Sequence, residues 1–178
     1  MIFHITFFRA RSKKRKEFFM NKEYIDFLVR AKLATYASEG DEVGEQQADG
    51  SKILEFGENG LLYVDHYHGF NPFSGWERLV ANGKTVWTMN YRGEIFSERL
   101  KKLPFSEREI YDFLRQALRN IPPKYPFRGP ARLEKEKFLY FNRWQRNCRG
   151  FHGNEVIIAR GSKYRIIYQL HYHGGIIR

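Results

Sequence analysis

An internal repeat constrains the fold of this chain more than any other feature of its sequence. The residues between Leu62 and Ile95 return, with gaps, between Leu139 and Ile176. Self-similarity of this kind indicates that one structural unit has been used twice. The clearest matches are Leu62-Tyr63 with Leu139-Tyr140, Asp65 with Asn142, Phe73-x-Gly75-x-Glu77 with Phe151-x-Gly153-x-Glu155, and Tyr91-x-Gly93-x-Ile95 with Tyr172-x-Gly174-x-Ile176.

A helical pattern precedes each copy, because apolar residues recur there at intervals of three and four. Asn21 is the expected N-cap of the first helix, which we predict to end near Tyr36. Ser106 and Glu109 have the spacing of a capping box at the start of the second helix. The two matching segments are Glu23-x-x-Asp26-Phe27-Leu28-x-x-Ala31 and Glu109-x-x-Asp112-Phe113-Leu114-x-x-Ala117.

Alternating sequences follow each helix and predict antiparallel strands. Asn59-Gly60 and Asn82-Gly83 are the residue types that two-residue hairpin turns require. Each unit is therefore predicted to be a helix followed by an antiparallel β-meander, which gives an α+β fold with pseudo-two-fold symmetry and sheets that are either continuous or face to face. The predicted strands are 52–56, 60–68, 75–81, 84–91, 137–145, 154–160 and 163–172.

The chain divides into an N-terminal extension and one α+β domain. Residues 1–19 have the reverse order of a secretory signal, with an apolar stretch before a basic one. Lys16-Glu17 can be encoded by AAGGAG, a bacterial ribosome-binding sequence, and Met20 follows shortly after. We expect residues 1–19 to be non-native or disordered, the alternative being a basic arm that binds nucleic acid. The domain, 20–178, consists of repeats at about 20–103 and 104–178, and a proline-rich connector before Pro130 marks the boundary.

Composition excludes several classes of protein. The single cysteine, Cys148, rules out an internal disulfide framework and favours a reducing, cytoplasmic location. We expect no membrane span, because no apolar run approaches the roughly 18 residues that a bilayer requires. The net charge is +11, and residues 92–149 carry 15 Lys and Arg against 7 Asp and Glu. This basic segment suits an anionic ligand, a docking surface or nucleic acid.

Glu77 and Glu155 are the most informative polar residues. Strand alternation places Glu77 on the face of Leu79 and Glu155 on the face of Ile157. A lone buried carboxylate is costly, so each needs a partner, such as Tyr63, Tyr140 or an arginine. Because both copies keep the carboxylate, bracing of the sheet is the favoured interpretation. The alternatives are a shared binding cleft and a hydrolase that uses Glu77 or Glu155.

Aromatic and polar side chains on equivalent strand faces could line a pocket for an organic ligand. The histidine pairs His66-x-His68 and His171-x-His173 could in principle hold a metal, but they are not equivalent positions of the repeat, so we expect neither a metal nor a cofactor. The ligand-binding candidates are Tyr63, Asp65, Tyr67, Glu77, Asn90, Tyr140, Asn142, Trp144, Glu155, His171 and His173.

Nucleic-acid binding is the alternative that the basic segment suggests. Arginine side chains there would contact phosphates, and binding would weaken steeply with salt. The sequence contains no nucleophile elbow, phosphate-binding glycine loop or paired-cysteine metal motif, so we identify no catalytic residue. The arginines concerned are Arg128, Arg132, Arg143, Arg146 and Arg149.

From about Tyr24 to Arg178 the chain resembles an uncharacterised family of domains, found as stand-alone proteins or C-terminal to the helix-turn-helix of Xre-type transcriptional regulators. The resemblance implies a ligand- or partner-sensing domain in its stand-alone form. We therefore expect a non-enzymatic regulatory module for a small molecule or a protein partner, with a homodimer also compatible. The resemblance rests on Phe27-Leu28-x-x-Ala31, Tyr63-x-Asp65-x-Tyr67-x-Gly69, Phe73-x-Gly75-x-Glu77, Gly83-Lys84-x-Val86-Trp87-x-Met89-Asn90-Tyr91-x-Gly93, Pro126-Phe127-Arg128-Gly129-Pro130 and His173-Gly174-Gly175-Ile176-Ile177.

Overall fold

The computed structural model describes residues 20–37, 44–101, 103–147, 149–161 and 165–177. The N-terminal extension, Cys148 and the predicted start of the last strand lie outside these ranges, as does the side chain of Arg146. The helices are Lys22–Ala34 (α1), Ser97–Leu100 (α2) and Glu107–Arg119 (α3). The strands are Glu45–Gln46 (β1), Lys52–Glu58 (β2), Leu61–Gly69 (β3), Phe73–Ala81 (β4), Lys84–Ile95 (β5), Arg132–Glu134 (β6), Phe138–Asn147 (β7), Gly150–Ala159 (β8) and Arg165–Ile176 (β9).

Within the described ranges the strands form one continuous antiparallel sheet, in the order β1-β2-β3-β4-β5-β9-β8-β7-β6. The predicted α+β class is confirmed, and the sheet is continuous rather than two sheets face to face. Strands β5 and β9 form its centre, where Tyr91 pairs with Tyr172. The predicted turns are confirmed: Asn59 and Asn82 have positive φ values of 50° each, followed by Gly60 and Gly83 at 76° and 72°.

Both long helices pack on one face of the sheet, α1 against β2 and β3, and α3 against β7. Asn21 caps α1 by accepting a hydrogen bond from the Glu23 amide at 3.2 Å, and the helix ends at Ala34, slightly before the predicted end. The predicted capping box of α3 is present at Ser106 and Glu109. The apolar face of α3 is fully buried and consists of Ile110, Phe113, Leu114, Ala117 and Leu118.

The proline-rich connector between α3 and β6 enters the core instead of running over the surface. Phe127 is buried and stacks on Phe151 with ring centroids 3.7 Å apart. Arg128 beside it is only 5% exposed. The connector thus contributes side chains to the interior at the point where the two halves meet.

In β9 the alternation of side chains between the two faces of the sheet is interrupted. The sequence assigns Ile166 to the face of Tyr168, yet Ile166 is 38% exposed and Ile167 is buried. The register shifts between Ile157 and Ile158 of β8, so that one residue of β9 has no partner opposite it. A bulge of this kind moves neighbouring side chains to the other face of the sheet.

Two glycines of the repeat make room for aromatic rings on the adjacent strands. A Cβ at Gly75 would lie 2.6 Å from the Tyr91 hydroxyl, and one at Gly153 would lie 2.4 Å from Cζ of Tyr172. Contacts this short cannot be relieved by a small rotation, because the backbone carbonyl of Arg143 also lies 2.7 Å from the Gly153 Cβ position.

We therefore predict that Gly153→Ala lowers the free energy of unfolding by about 1–3 kcal/mol, the usual cost of overpacking a filled core. Urea denaturation would measure the change. Gly57→Ala is the matched control, because a Cβ there meets its nearest atom at 3.8 Å, and its effect should be within about 0.5 kcal/mol. Equal effects of the two substitutions would contradict the packing explanation.

Candidate functional site

A cavity of about 650 Å³ opens between α3 and the half of the sheet formed by β2 to β5. Strand alternation directs Asp65 and Tyr67 of β3 into it, and α3 supplies the opposite wall. Its volume lies within the range of pockets that hold small organic molecules. The lining residues are Tyr36, Gly50, Lys52, Leu54, Asp65, Tyr67, Gly69, Phe70, Phe73, Tyr91, Arg108, Tyr111, Leu114, Arg115, Leu118 and Arg128.

Six of the sixteen described lining residues are aromatic. Phe73 lies 6.1 Å from Tyr91 and 6.4 Å from Tyr111, measured between ring centroids. Phe70 is 63% exposed at the rim, and its ring is tilted against that of Tyr111 with centroids 4.9 Å apart.

Cationic groups outnumber carboxylates around the cavity. Arg108 is exposed on α3, and Arg115, two turns of helix further along, pairs with Asp112 at 2.5 Å. Lys52 approaches from β2, and Arg128 from the connector. Asp65 is the one acidic side chain among the lining residues that the structure describes. The balance favours a ligand that carries negative charge.

The first of two buried ion pairs lies beneath the cavity. The ammonium of Lys32 binds the carboxylate of Glu77 and donates a second hydrogen bond to the carbonyl of Phe127 at 2.9 Å, and both side chains are fully buried. It also lies 5.5 Å from the ring centroid of Tyr36, which faces the cavity. Burial lowers the pKa of Lys32, while the charge of Glu77 opposes that shift.

The second buried pair joins the connector to the sheet. Arg128 donates from Nε and Nη2 to one oxygen of Glu155, at 3.2 and 2.7 Å. Tyr168 donates to the same oxygen at 2.8 Å, and Tyr140 donates to the other at 2.5 Å. Burial raises the pKa of both tyrosines well above the usual value, with the charge of Glu155 adding to the shift, so both stay hydrogen-bond donors.

Asp65 is the carboxylate that links the cavity to this buried network. Tyr91 donates to it at 2.6 Å, and in the other half of the sheet Tyr172 donates to Asn142 at 2.8 Å in the same way. Burial and the nearby charge of Glu77 raise the pKa of Asp65 to about 7, against the hydrogen bond from Tyr91 and the charges of Lys32 and Arg128. Near neutral pH this group therefore exists in both protonation states.

Comparison with protein families identifies the chain. A family described as a domain of unknown function, DUF5680, matches residues 65–177. The chain belongs to DUF5680. No curated protein and no solved structure matches the chain significantly.

The DUF5680 match contains most of the polar network but not all of it. Asp65, Glu77, Arg128 and Glu155 lie inside the matched residues, whereas Lys32 precedes them. Among the described residues no helix is long and apolar enough to cross a membrane.

The ligand-binding candidates differ in their burial and in whether they line the cavity. Asp65 and Tyr67 line the cavity. Glu77 and Glu155 are fully buried and do not line it, and each has an ion-pair partner. The predicted hydrogen bond from Tyr140 to Glu155 is present, but Glu77 pairs with Lys32 rather than Tyr63. Tyr63, Tyr140 and Asn142 are buried, Trp144 is partly buried, and Asn90, His171 and His173 are exposed away from the cavity.

The described nucleic-acid candidates are not all on the surface. Arg128 is buried in its ion pair with Glu155, so it cannot present its charge to phosphates as the sequence suggested. Arg132 is exposed and pairs with Glu134 at 2.6 Å. Arg143 and Arg149 are exposed on and beside β7, and the side chain of Arg146 lies outside the described part of the chain.

Sequence reasoning missed Lys32, Tyr36 and Arg128 as parts of this network. One signal for Lys32 was present, because it follows Leu28 by four residues and so lies on the buried face of α1. Arg128 carried a weaker signal, since it lies between Phe127 and Gly129 in a segment with the composition of a surface linker. Neither signal identifies the carboxylate that each cation meets.

We predict that Lys32→Met lowers the free energy of unfolding by about 3–5 kcal/mol, because it leaves Glu77 buried without its cation. The double variant Lys32→Met/Glu77→Leu should cost less than the sum of the two single changes. Arg30→Met is the matched control on the same helix, since its ion pair with Glu58 at 3.0 Å is partly exposed, and it should cost less than about 1 kcal/mol. Urea denaturation of the wild type and the four variants tests this. An effect of Lys32→Met no larger than that of Arg30→Met would contradict it.

Asp65→Asn should change how stability depends on pH. The folded protein retains the Asp65 proton up to about pH 7, whereas an unfolded carboxyl ionises near its usual pKa of about 3.9. Wild-type stability therefore falls as pH rises through this window, on the order of a few kcal/mol from this group, and levels off above it. The asparagine variant lacks this contribution, so its stability relative to wild type should rise between about pH 5 and pH 8. Urea denaturation at both pH values measures the free energy of unfolding. Asp26→Asn is the control on the surface of α1, and its stability should depend on pH as that of the wild type does.

Proposed function

We propose that this DUF5680 chain is a non-enzymatic binding module whose cavity takes a small organic anion with an apolar, aromatic-sized body. One observation carries the proposal: among the described residues, a cavity of about 650 Å³ with several aromatic side chains in its walls is lined by four cationic side chains and one carboxylate. Apolar walls would provide affinity through burial of the ligand body, and the cations would orient its charged group. A regulatory role, in which occupancy of the cavity is communicated to a partner, is the further proposal that the resemblance to regulator-attached domains supports.

The charges around the cavity are of two kinds. The charge of Arg128 is already neutralised by Glu155. Its contribution is therefore to provide hydrogen-bond donors and to stabilise the base of the cavity. Arg108 is exposed, and Arg115 is held by a partly exposed Asp112. These two arginines can turn to a ligand anion at small cost, because an exposed ion pair is weak.

We also infer that the sheet consists of two copies of one unit and that ligand binding has been kept in the first. The hydrogen bond from Tyr91 to Asp65 has a counterpart from Tyr172 to Asn142, and the two tyrosines are paired at the centre of the sheet. The acid at Asp65 opens to the cavity, whereas Asn142 is buried and donates to the carbonyl of Gly129 at 2.8 Å. In the second half of the sheet the connector therefore occupies the space next to Asn142. The equivalent space next to Asp65, in the first half, is the open cavity.

The carboxylates that suggested a hydrolase do not support one. Glu77 and Glu155 are fully buried: one oxygen of Glu77 binds the Lys32 ammonium, and both oxygens of Glu155 accept hydrogen bonds from Arg128 and tyrosine hydroxyls. A general base must reach a substrate or a bound water, and neither carboxylate faces the cavity. Bracing of the interior is the role that their geometry favours.

Anilinonaphthalene sulfonate is a suitable probe for the proposal, because it is an aromatic anion whose fluorescence rises on binding. We expect saturable binding that weakens by about tenfold, or about 1.4 kcal/mol, in Arg108→Gln/Arg115→Gln. The neutral analogue phenylnaphthylamine should bind both chains equally, because only the charge contact has been removed. Arg132→Gln is the control, since this arginine pairs with Glu134 away from the cavity.

The pattern across the two probes decides the outcome. Loss of sulfonate binding in the double variant with retained binding of the neutral analogue supports an anion site in the cavity. Equal sulfonate affinity in all three chains, or an equal loss in Arg132→Gln, would overturn the proposal.

A further inference from the structure

Three potential metal ligands converge at the turn that precedes β2. Asp49, His66 and His68 each offer one ligand atom, and these atoms lie within 4.8 Å of one another. The rings of His66 and His68 are 5.3 Å apart, and Nε2 of His68 lies 3.6 Å from a carboxylate oxygen of Asp49. The three residues come from two separate segments of the chain, so the fold brings the carboxylate to the histidines.

The backbone fixes two sides of this cluster. His66 and His68 are alternate residues of β3, so their side chains leave the same face of the strand. Asp65 and Tyr67 leave the opposite face and line the cavity, so the cluster and the cavity lie on opposite faces of β3. The inference drawn here is therefore independent of the ligand proposed for the cavity.

Ser51 forms hydrogen bonds with two members of the cluster. Its backbone amide and its hydroxyl both donate to one oxygen of Asp49, at 3.0 and 2.6 Å. The same hydroxyl lies 2.7 Å from Nε2 of His66. The second Asp49 oxygen is the one that faces His68.

We propose that Asp49, His66 and His68 form a binding site for one Zn²⁺ ion. Two imidazoles and one carboxylate are a ligand set that zinc uses in sites with three protein ligands and an open fourth position. Ser51 fits the second-shell role, because it orients a ligating carboxylate by hydrogen bonding. Asp49 and His68 are exposed, with side chains 62% and 56% accessible, so an ion can enter directly from solvent.

The other histidine pair of the chain provides a contrast within the same sheet. His171 and His173 of β9 have the same spacing and are also exposed. Nε2 of His171 lies 2.8 Å from the amide nitrogen of Gln169, and Arg92 is its cross-strand partner on β5. Within the described ranges no carboxylate completes a metal-binding group with this pair. A cation nearby disfavours a metal ion, whereas Asp49 attracts one.

Calorimetric titration of Zn²⁺ alone into the full, chelator-treated chain tests the proposal, and Co²⁺ absorption reports the coordination geometry. We expect one ion per chain, with affinity falling more than about tenfold in Asp49→Asn and in His68→Ala. The matched control is His171→Ala/His173→Ala, which removes the other histidine pair and should bind zinc as the wild type does. Thermal denaturation without metal should be nearly the same for all chains, because the altered side chains are exposed.

Two kinds of result would overturn the assignment of this zinc site. Full affinity in Asp49→Asn or in His68→Ala would remove that residue from the site. Loss of zinc in the control pair, or no stoichiometric binding by the wild type, would remove the site itself.

Discussion

Burial of charged side chains between the helices and the sheet is the constraint on which the rest of this structure depends. A buried ion costs several kcal/mol unless a counter-ion and hydrogen bonds replace the water it loses. Glu155 meets that requirement with Arg128, Tyr140 and Tyr168, and so joins the connector to β7, β8 and β9. Lys32 meets it with Glu77 and the Phe127 carbonyl, and so joins α1 to β4 and to the same connector.

These two pairs explain why a proline-rich connector lies in the core. A surface linker needs no buried donors, but this one places the Arg128 guanidinium and the Phe127 carbonyl between the helices and the sheet. Removal of either cation would leave a carboxylate in a space that water does not reach. The polar network that results borders the neighbouring cavity, where Asp65 and Arg128 form part of the lining.

Sequence alone predicted the local features of this fold because they depend on neighbouring residues. The Asn-Gly turns, the capping box at Ser106 and the buried face of α3 all follow from backbone geometry over a few residues. Ile166 was assigned to the wrong face because a bulge adds one residue where alternation assumes none. Lys32 and Arg128 were missed because their partners lie 45 and 27 residues away along the chain. Asp49 joins His66 and His68 only through tertiary structure, which no spacing rule reveals.

The strand order also determines how the sheet ends. The long strands are all interior, and the two outermost strands are β1, with two residues, and β6, with three. An open edge of unpaired amides and carbonyls is a template for pairing with another chain, and short, charged edge strands suppress that pairing. Glu45 lies on one edge, and Arg132 and Glu134 lie on the other. Each short strand thus shields part of its neighbour's outer edge, residues 52–53 of β2 and residues 139–141 of β7, from pairing with another chain.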